Sequence, residues 1–214
     1  MGSFLRASDL RLVRKVAAEE LLHNPLERVI LVAWTEIYYD ATAEGRVGAM
    51  PVFPILVDAW QFECCGEPFA VGDTVSFPLE LLPPDRFSRE LHVELRGAMP
   101  AGAVRLEEGG SRQLFRTGGL IVASGDSGQP AGVLHEDRHG KLPDSMPRTT
   151  GVAERISVGR VLYRREEGDE DWVPVPGSMI LEPVERTPDG FDTDPEGKEP
   201  PWGEAGMVVH LRVD

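Results

Sequence analysis

The sequence predicts a mainly β protein: a small antiparallel barrel or sandwich with one N-terminal helix. Glycine and proline are frequent, at 23 and 18 of 214 residues, which favours many short strands and turns over long helices. Short stretches also alternate between apolar and polar residues, most clearly in LHVELR at 91–96, where Leu91, Val93 and Leu95 share one face. Strands of this length and spacing are typical of small barrels and sandwiches.

Residues 1–49 are predicted to form a helix–strand extension. Apolar residues recur at helical spacing over 9–23, and Pro25 stops that helix. Residues 28–39 are rich in β-branched and aromatic side chains, which predicts a strand. Either this is a genuine extension, which the amphipathic helix favours, or the ancestral protein begins near Met50.

Residues 50–214 are predicted to form a single β-rich domain. Near their end, the segment TPDGFDTDPEGKEPPWGE at 187–204 is acidic and rich in proline and glycine, so we expect an exposed loop there. Gly72 and Asp73 suit a turn or bulge at a barrel corner. The predicted strands are, in chain order, 52–63, 69–81, 91–96, 119–124, 132–136, 150–165, 178–186 and 206–214.

The charge of the chain limits its partners. The formal net charge is -14, and by count about -9 of it falls in residues 164–214. Nucleic acids and anionic membranes are bound through basic surfaces, so we expect neither as a partner. The acidic C-terminal part leaves open a basic protein as partner.

Cysteine usage and hydropathy predict a cytoplasmic protein. The N-terminal residues lack the apolar core and cleavage site of a secretory signal, and no apolar run reaches membrane-spanning length. The sequence has two cysteines, and they are adjacent, so a disulfide framework is not expected. We therefore expect reduced thiols.

His135, Glu136 and His139 form a literal H-E-x-x-H sequence. On a helix this spacing places two imidazoles on one face to bind zinc, and the glutamate activates the metal-bound water. Glycine and proline flank the segment on both sides, which argues against a helix. We expect a strand end followed by a loop, and the metallopeptidase hypothesis is disfavoured.

Cys64 and Cys65 allow three interpretations: small packing residues, reactive thiols or metal ligands. Two adjacent thiolates need further ligands, and the candidates are His135 and His139. These four residues would meet if the strand before the cysteines lies beside the strand that contains His135. Cysteine and imidazole together suit zinc, which is the metal we expect at such a site.

The segment DAWQFECCGEPFAVGDTVSF resembles the opening of an actinobacterial domain family of unknown function with a Trp-Gln-x-x-Cys-Cys-Gly signature. The resemblance continues in LHEDRHGKLPDSMPRTTGVAERI, WVPVPGSMILEPV and GMVVHLRV, and it covers residues 52–214. It implies that the cysteine and histidine segments belong to one domain. It implies no activity.

The function predicted from these observations is binding rather than catalysis, with a structural Cys/His metal site as one component. Trp60 and Gln61 are the predicted binding residues. One alternative is an enzyme, either metal-dependent through His135, Glu136 and His139 or thiol-dependent through Cys64 or Cys65. The other alternative is an acidic binder of a basic protein.

Overall fold

The described part of the chain is mainly β, as the sequence predicts. A computed structural model describes residues 50–106, 108–125, 130–138, 141–165 and 171–214. The helix predicted over 9–23 and the strand predicted over 28–39 lie outside these residues. None of the helices in the described ranges is long and apolar enough to cross a membrane.

Twelve strands and one α-helix, with two short 3-10 turns, account for the regular structure of the described residues. The helix is α1 (Ala59–Cys65). The strands are β1 (Val52–Asp58), β2 (Thr74–Phe77), β3 (Leu79–Leu82), β4 (His92–Glu94), β5 (Met99–Arg105), β6 (Ser111–Thr117), β7 (Leu120–Ser124), β8 (Ala131–Glu136), β9 (Thr149–Arg164), β10 (Val173–Pro174), β11 (Ile180–Val184) and β12 (Trp202–Arg212).

The strands form one curled half-barrel that is open rather than closed, which corrects the predicted small antiparallel barrel or sandwich. The main strand order is β10-β9-β12-β1-β8-β3-β7-β6-β5; β2 and β11 also pair with β9, and β4 pairs with β8. The sheet is also mixed rather than purely antiparallel. The pairs β1–β8 and β3–β7 are parallel, because the chain returns to the middle of the sheet after excursions through other strands.

The centre of the sheet is buried on both faces. Along β1, Ile55 and Val57 join the largest core cluster, whereas Leu56 faces the opposite way into a second cluster. On β12, Met207 and Val209 join the first cluster and Val208 the second. Alternate residues of a strand face opposite sides, so apolar residues at consecutive positions mark strands covered on both sides.

The strand predicted over 52–63 ends at Asp58, and the following residues form α1. Phe62 turns inward from this helix and contacts the rings of Phe69 and Phe191 edge-on. Gly66 ends the helix where a Cβ would lie 2.3 Å from the Phe62 ring. Packing of Phe62 therefore overrides the strand-like composition of this segment.

The single strand predicted over 69–81 is two strands, β2 and β3, separated by Pro78. Proline cannot donate to a sheet hydrogen bond, and here the chain changes neighbours. β2 pairs with β9, whereas β3 pairs with β7 and β8. This break places the end of β2 at one margin of the half-barrel.

The other predicted strands in the described ranges are found, with bounds shifted by a few residues. The hairpin of β5 and β6 was not predicted. In β5 only Val104 is buried, and Pro100 and Gly102 interrupt it, so its sequence lacks a strand pattern. In the predicted acidic loop, residues 187–201 have no helix or strand, and Trp202 begins β12.

Candidate functional site

A cluster of polar side chains lies where β1 passes into α1 and β8 ends. The two strands are parallel neighbours, with Leu56 opposite His135. Because parallel strands end at the same edge of a sheet, Asp58 and Glu136 come together there with residues from α1 and β3. The strand before the cysteines therefore lies beside the strand of His135, which is the condition stated above for a Cys/His site.

His135 is buried between two carboxylates. Its Nε2 lies 3.0 Å from Asp58 Oδ2 and its Nδ1 lies 3.4 Å from Glu80 Oε1. Burial disfavours a charged imidazole, but the hydrogen bonds and charges of the two carboxylates outweigh burial and raise the pKa of His135 to about 9. At neutral pH this pKa favours the imidazolium, which carries a proton on each ring nitrogen.

Glu136 and Arg138 form a second buried pair. Arg138 Nη2 lies 2.6 Å from Glu136 Oε1, and the Glu136 side chain is 1% exposed. Burial raises the pKa of Glu136 even though the nearby Arg138 charge opposes that shift. The paired carboxylate anchors the guanidinium at the margin of the sheet.

Arg138 also ties α1 to the end of β8. Its backbone N–H donates to Gln61 Oε1 at 2.8 Å, and its Nη1 donates to the backbone carbonyl of Cys65 at 2.5 Å. Gln61, a predicted binding residue, is 2% exposed. Its amide oxygen accepts the Arg138 N–H inside the protein. Trp60, the other predicted binding residue, is 57% exposed on the outside of α1.

Cys64 and Cys65 are exposed at the end of α1 and are not joined in a disulfide. The Cys65 thiol donates to Cys64 Sγ over 3.2 Å, and this hydrogen bond raises the pKa of Cys65. His139 lies outside the described residues. Within the described ranges no three His, Cys, Asp or Glu side chains are arranged to hold a metal ion, so the predicted zinc site stays a prediction that depends on His139.

The H-E-x-x-H sequence does not begin on a helix. His135 and Glu136 are the last two residues of β8, and Asp137 and Arg138 follow without regular structure. Adjacent strand residues face opposite ways, which agrees with their separate partners: His135 contacts Asp58 and Glu80, and Glu136 contacts Arg138. The expected strand end is confirmed for these residues.

An open groove of about 630 Å³ lies next to the polar cluster. It runs along β2, between this strand and the segment that leaves α1, with Phe69 and Phe77 as its apolar part and Arg138 and Arg148 as its basic part. The remaining lining residues are Cys65, Glu67, Pro68, Asp73, Thr74, Val75, Ser76 and Thr150.

One edge of β2 borders this groove. Among the described strands β2 pairs only with β9. The Asp73 carbonyl accepts from the Ala153 N–H of β9, and residues of an antiparallel strand alternate in facing the partner. The backbone groups of Thr74 and Ser76 therefore face away from β9, and Arg148 Nη1 lies 3.4 Å from the Ser76 carbonyl.

Four residues of the cluster and the groove were not predicted from the sequence: Asp58, Glu80, Arg138 and Arg148. For Asp58 and Arg138 the available signal was a charged residue at or just after the end of an apolar strand. Glu80 and Arg148 carry no local signal, because strand pairing alone brings them to this end of the sheet.

The family comparison confirms the coarser part of the predicted resemblance, a domain family of unknown function. A model of DUF6578, a family of unknown function, matches residues 51–213. No curated protein and no solved structure shows significant similarity to the chain. The match spans the half-barrel, the polar cluster and the groove, and the chain belongs to this family of unknown function.

Proposed function

We propose that this protein is a binding protein that captures an extended polypeptide segment on the free edge of β2. The observation that carries the proposal is the position of that edge, which lines an open groove of about 630 Å³. An unpaired strand presents alternating N–H and C=O groups, and only another extended backbone matches that pattern along its length. The occupant is therefore a peptide strand of a few residues.

The other strand edges in the described ranges are poorly suited to such pairing. β5 contains Pro100 and a bulge before Gly102, and β10 and β11 contain Pro174 and Pro183. β4 has three residues, of which Glu94 is charged. Proline, bulges, charges and short length are the usual protection of edges against unwanted pairing, and β2 (TVSF) has neither proline nor charge nor a bulge.

The arginine side of the groove favours a segment with an acidic side chain at that point, whereas Glu67 and Asp73 line other parts of the groove. Arg148 has no carboxylate within ion-pair distance in the described part of the chain, and its guanidinium makes a weak contact of 3.4 Å with the Ser76 carbonyl. Arg138 uses three of its five N–H donors on Glu136 and Cys65. Phe69, which is half-buried, supplies apolar surface for a neighbouring side chain.

The test is selection of peptides from a random seven-residue display library on the full chain. We expect enrichment of extended peptides that carry Asp or Glu. Ser76→Pro removes an N–H that faces the groove and should weaken an enriched peptide about 10-fold. Arg148→Ala should weaken it several-fold at low salt and less at high salt.

Arg89→Ala is the matched control, since it removes an exposed arginine that does not line the groove. Its peptide affinity should equal that of the unchanged protein. Thermal unfolding of each variant checks that the fold is retained. The proposal is wrong if no peptide is enriched, or if Ser76→Pro and Arg148→Ala both bind the enriched peptide as tightly as Arg89→Ala.

The enzyme alternatives receive less support from the described geometry. A general base at His135 needs an unprotonated ring nitrogen, but Nε2 is hydrogen-bonded to Asp58 and Nδ1 lies 3.4 Å from the Glu80 carboxylate, so both charges favour the protonated ring. The acidic-binder alternative stays a prediction: Asp194 and Glu196 are exposed, and deletion of residues 187–204 is its test.

A further inference from the structure

The cysteine pair at the end of α1 forms a dithiol that the proposed peptide binding does not use. Cys64 and Cys65 are the only cysteines of the sequence, both are exposed, and their Sγ atoms lie 3.2 Å apart. Neighbouring residues of a helix project about 100° apart, so sulfur atoms this close have both turned to the same side. One ligand atom can therefore reach both.

The backbone beneath the two thiols is fixed. The Cys65 carbonyl accepts a hydrogen bond from Arg138, whose guanidinium is held by the buried Glu136 and whose backbone N–H donates to Gln61. The thiols thus need little rearrangement to act together, and a preorganised pair loses less conformational freedom on binding.

The distance of 3.2 Å between the two Sγ atoms favours some sulfur-binding ligands over others. Zinc takes four ligands in a tetrahedron, so it would need two further ligands besides the pair. A two-coordinate soft ion such as Cu(I) prefers its sulfur ligands on opposite sides. Trivalent arsenic is pyramidal and bonds to sulfur atoms that lie on one side of it.

We propose that Cys64 and Cys65 form a chelating dithiol site for trivalent arsenicals. With phenylarsine oxide as the ligand, two S–H bonds and the As–O bond break, and two As–S bonds form. The two protons and the oxygen leave as one water molecule. Arsenic stays trivalent and sulfur is not oxidised, so no oxidant or reductant takes part.

The test uses the reduced full chain and phenylarsine oxide. One equivalent should remove both thiols that react with Ellman's reagent. A dithiol such as 2,3-dimercaptopropanol should reverse the reaction, whereas a monothiol at the same thiol concentration should not. Cys64→Ser and Cys65→Ser each leave one thiol, and each should bind roughly 100-fold more weakly or worse, because the second bond is then not intramolecular.

Both side chains are exposed, so neither serine variant should change the unfolding temperature. The inference fails if both thiols remain titratable after one equivalent, or if either single variant holds the arsenical as tightly as the unchanged protein. It also fails if a monothiol strips the arsenical from the unchanged protein. The two proposals fail independently, because peptide selection is carried out on the protein without an arsenical, although Cys65 also lines the groove.

Discussion

At the scale of single residues, the polar cluster is organised by buried charges that each have a fixed partner. His135 is 6% exposed and Glu136 is 1% exposed, and a charged group at such depth is tolerated only when it is paired. The two pairs share one end of the sheet but point in different directions. Their energetic roles can therefore be tested separately.

The His135 cluster makes the stability depend on pH. The pKa of His135 is raised from 6.5 to about 9 in the folded protein. The protonated His135 therefore stabilises the folded state fully below about pH 6.5, and this stabilisation is lost as the pH rises through 9. The shift corresponds to about 3 kcal/mol of unfolding free energy.

His135→Gln, which cannot be protonated, is the matched variant. Urea unfolding of both proteins from pH 6 to 9.5 should show a gap in unfolding free energy that narrows by about 3 kcal/mol over this range. Taking the difference cancels the other titrating groups. A gap that stays constant with pH would show that His135 does not hold an extra proton in the folded state.

The Glu136–Arg138 pair should show the asymmetry of a buried ion pair. Arg138→Met leaves the buried Glu136 carboxylate without its counter-charge and should cost about 3 kcal/mol of unfolding free energy. Adding Glu136→Gln should recover more than half of that loss, because the uncompensated charge is gone. Urea unfolding of the single and double variants measures both effects.

Arg160→Met is the control, since Arg160 and Glu182 form an exposed pair with side chains 38% and 54% exposed. Its cost should be below about 1 kcal/mol. If Arg138→Met costs no more than Arg160→Met, the buried pair does not have the role assigned to it.

At the scale of elements, two bulges place glycine at positive φ in very different surroundings. Gly206 lies at the register shift in β12 with φ +147, and a Cβ there would lie 2.1 Å from the Val57 carbonyl oxygen. Gly102 lies at the register shift in β5 with φ +114, and nothing is within 4 Å of its Cβ position. The first glycine permits close approach of β12 to the start of α1.

Comparing Gly206→Ala with Gly102→Ala separates two costs of an added methyl group: backbone strain at positive φ, and the clash with the Val57 carbonyl that only Gly206→Ala creates. Gly102→Ala should cost about 1 kcal/mol of unfolding free energy from strain alone. Gly206→Ala should cost roughly 2–4 kcal/mol, because the new methyl also displaces the backbone at the end of β1. Urea unfolding measures both, and equal costs would contradict the proposed close approach.

Sequence patterns predicted those elements whose side chains alternate and missed those decided by distant contacts. The alternation around Val93 and the apolar run of β12 identified strands directly. The composition of AWQFECC favours a strand, and only contacts of Phe62 with Phe69 and Phe191 explain the helix. Pro78 was a local signal for the break between β2 and β3.

The candidate site was predictable only in part for the same reason. Adjacency of the strands that carry Asp58 and His135 could be proposed, because both end in polar residues. The raised pKa of His135 could not be predicted from the sequence. It depends on Glu80, which lies beside His135 only because β3 pairs antiparallel with β8. The groove depends on Arg148 and β2, which meet through β9.

At the scale of the whole molecule, the open half-barrel explains why a strand edge borders a groove. A closed barrel has no free edges, but here β2 pairs on one side only among the described strands. The hydrogen-bonding pattern with β9 leaves alternate backbone groups of β2 facing the groove. The proposed function rests on this free edge of β2.

Amide hydrogen exchange at β2 in the full chain tests that claim most directly. In the protein alone, we expect the amides of Thr74 and Ser76 to exchange fast and those of Val75 and Phe77 to be protected by β9. Saturation with a peptide from the display selection should protect Thr74 and Ser76 as well. Strand addition is contradicted if Thr74 and Ser76 are already as protected as their neighbours, or if they stay unprotected when the peptide is bound.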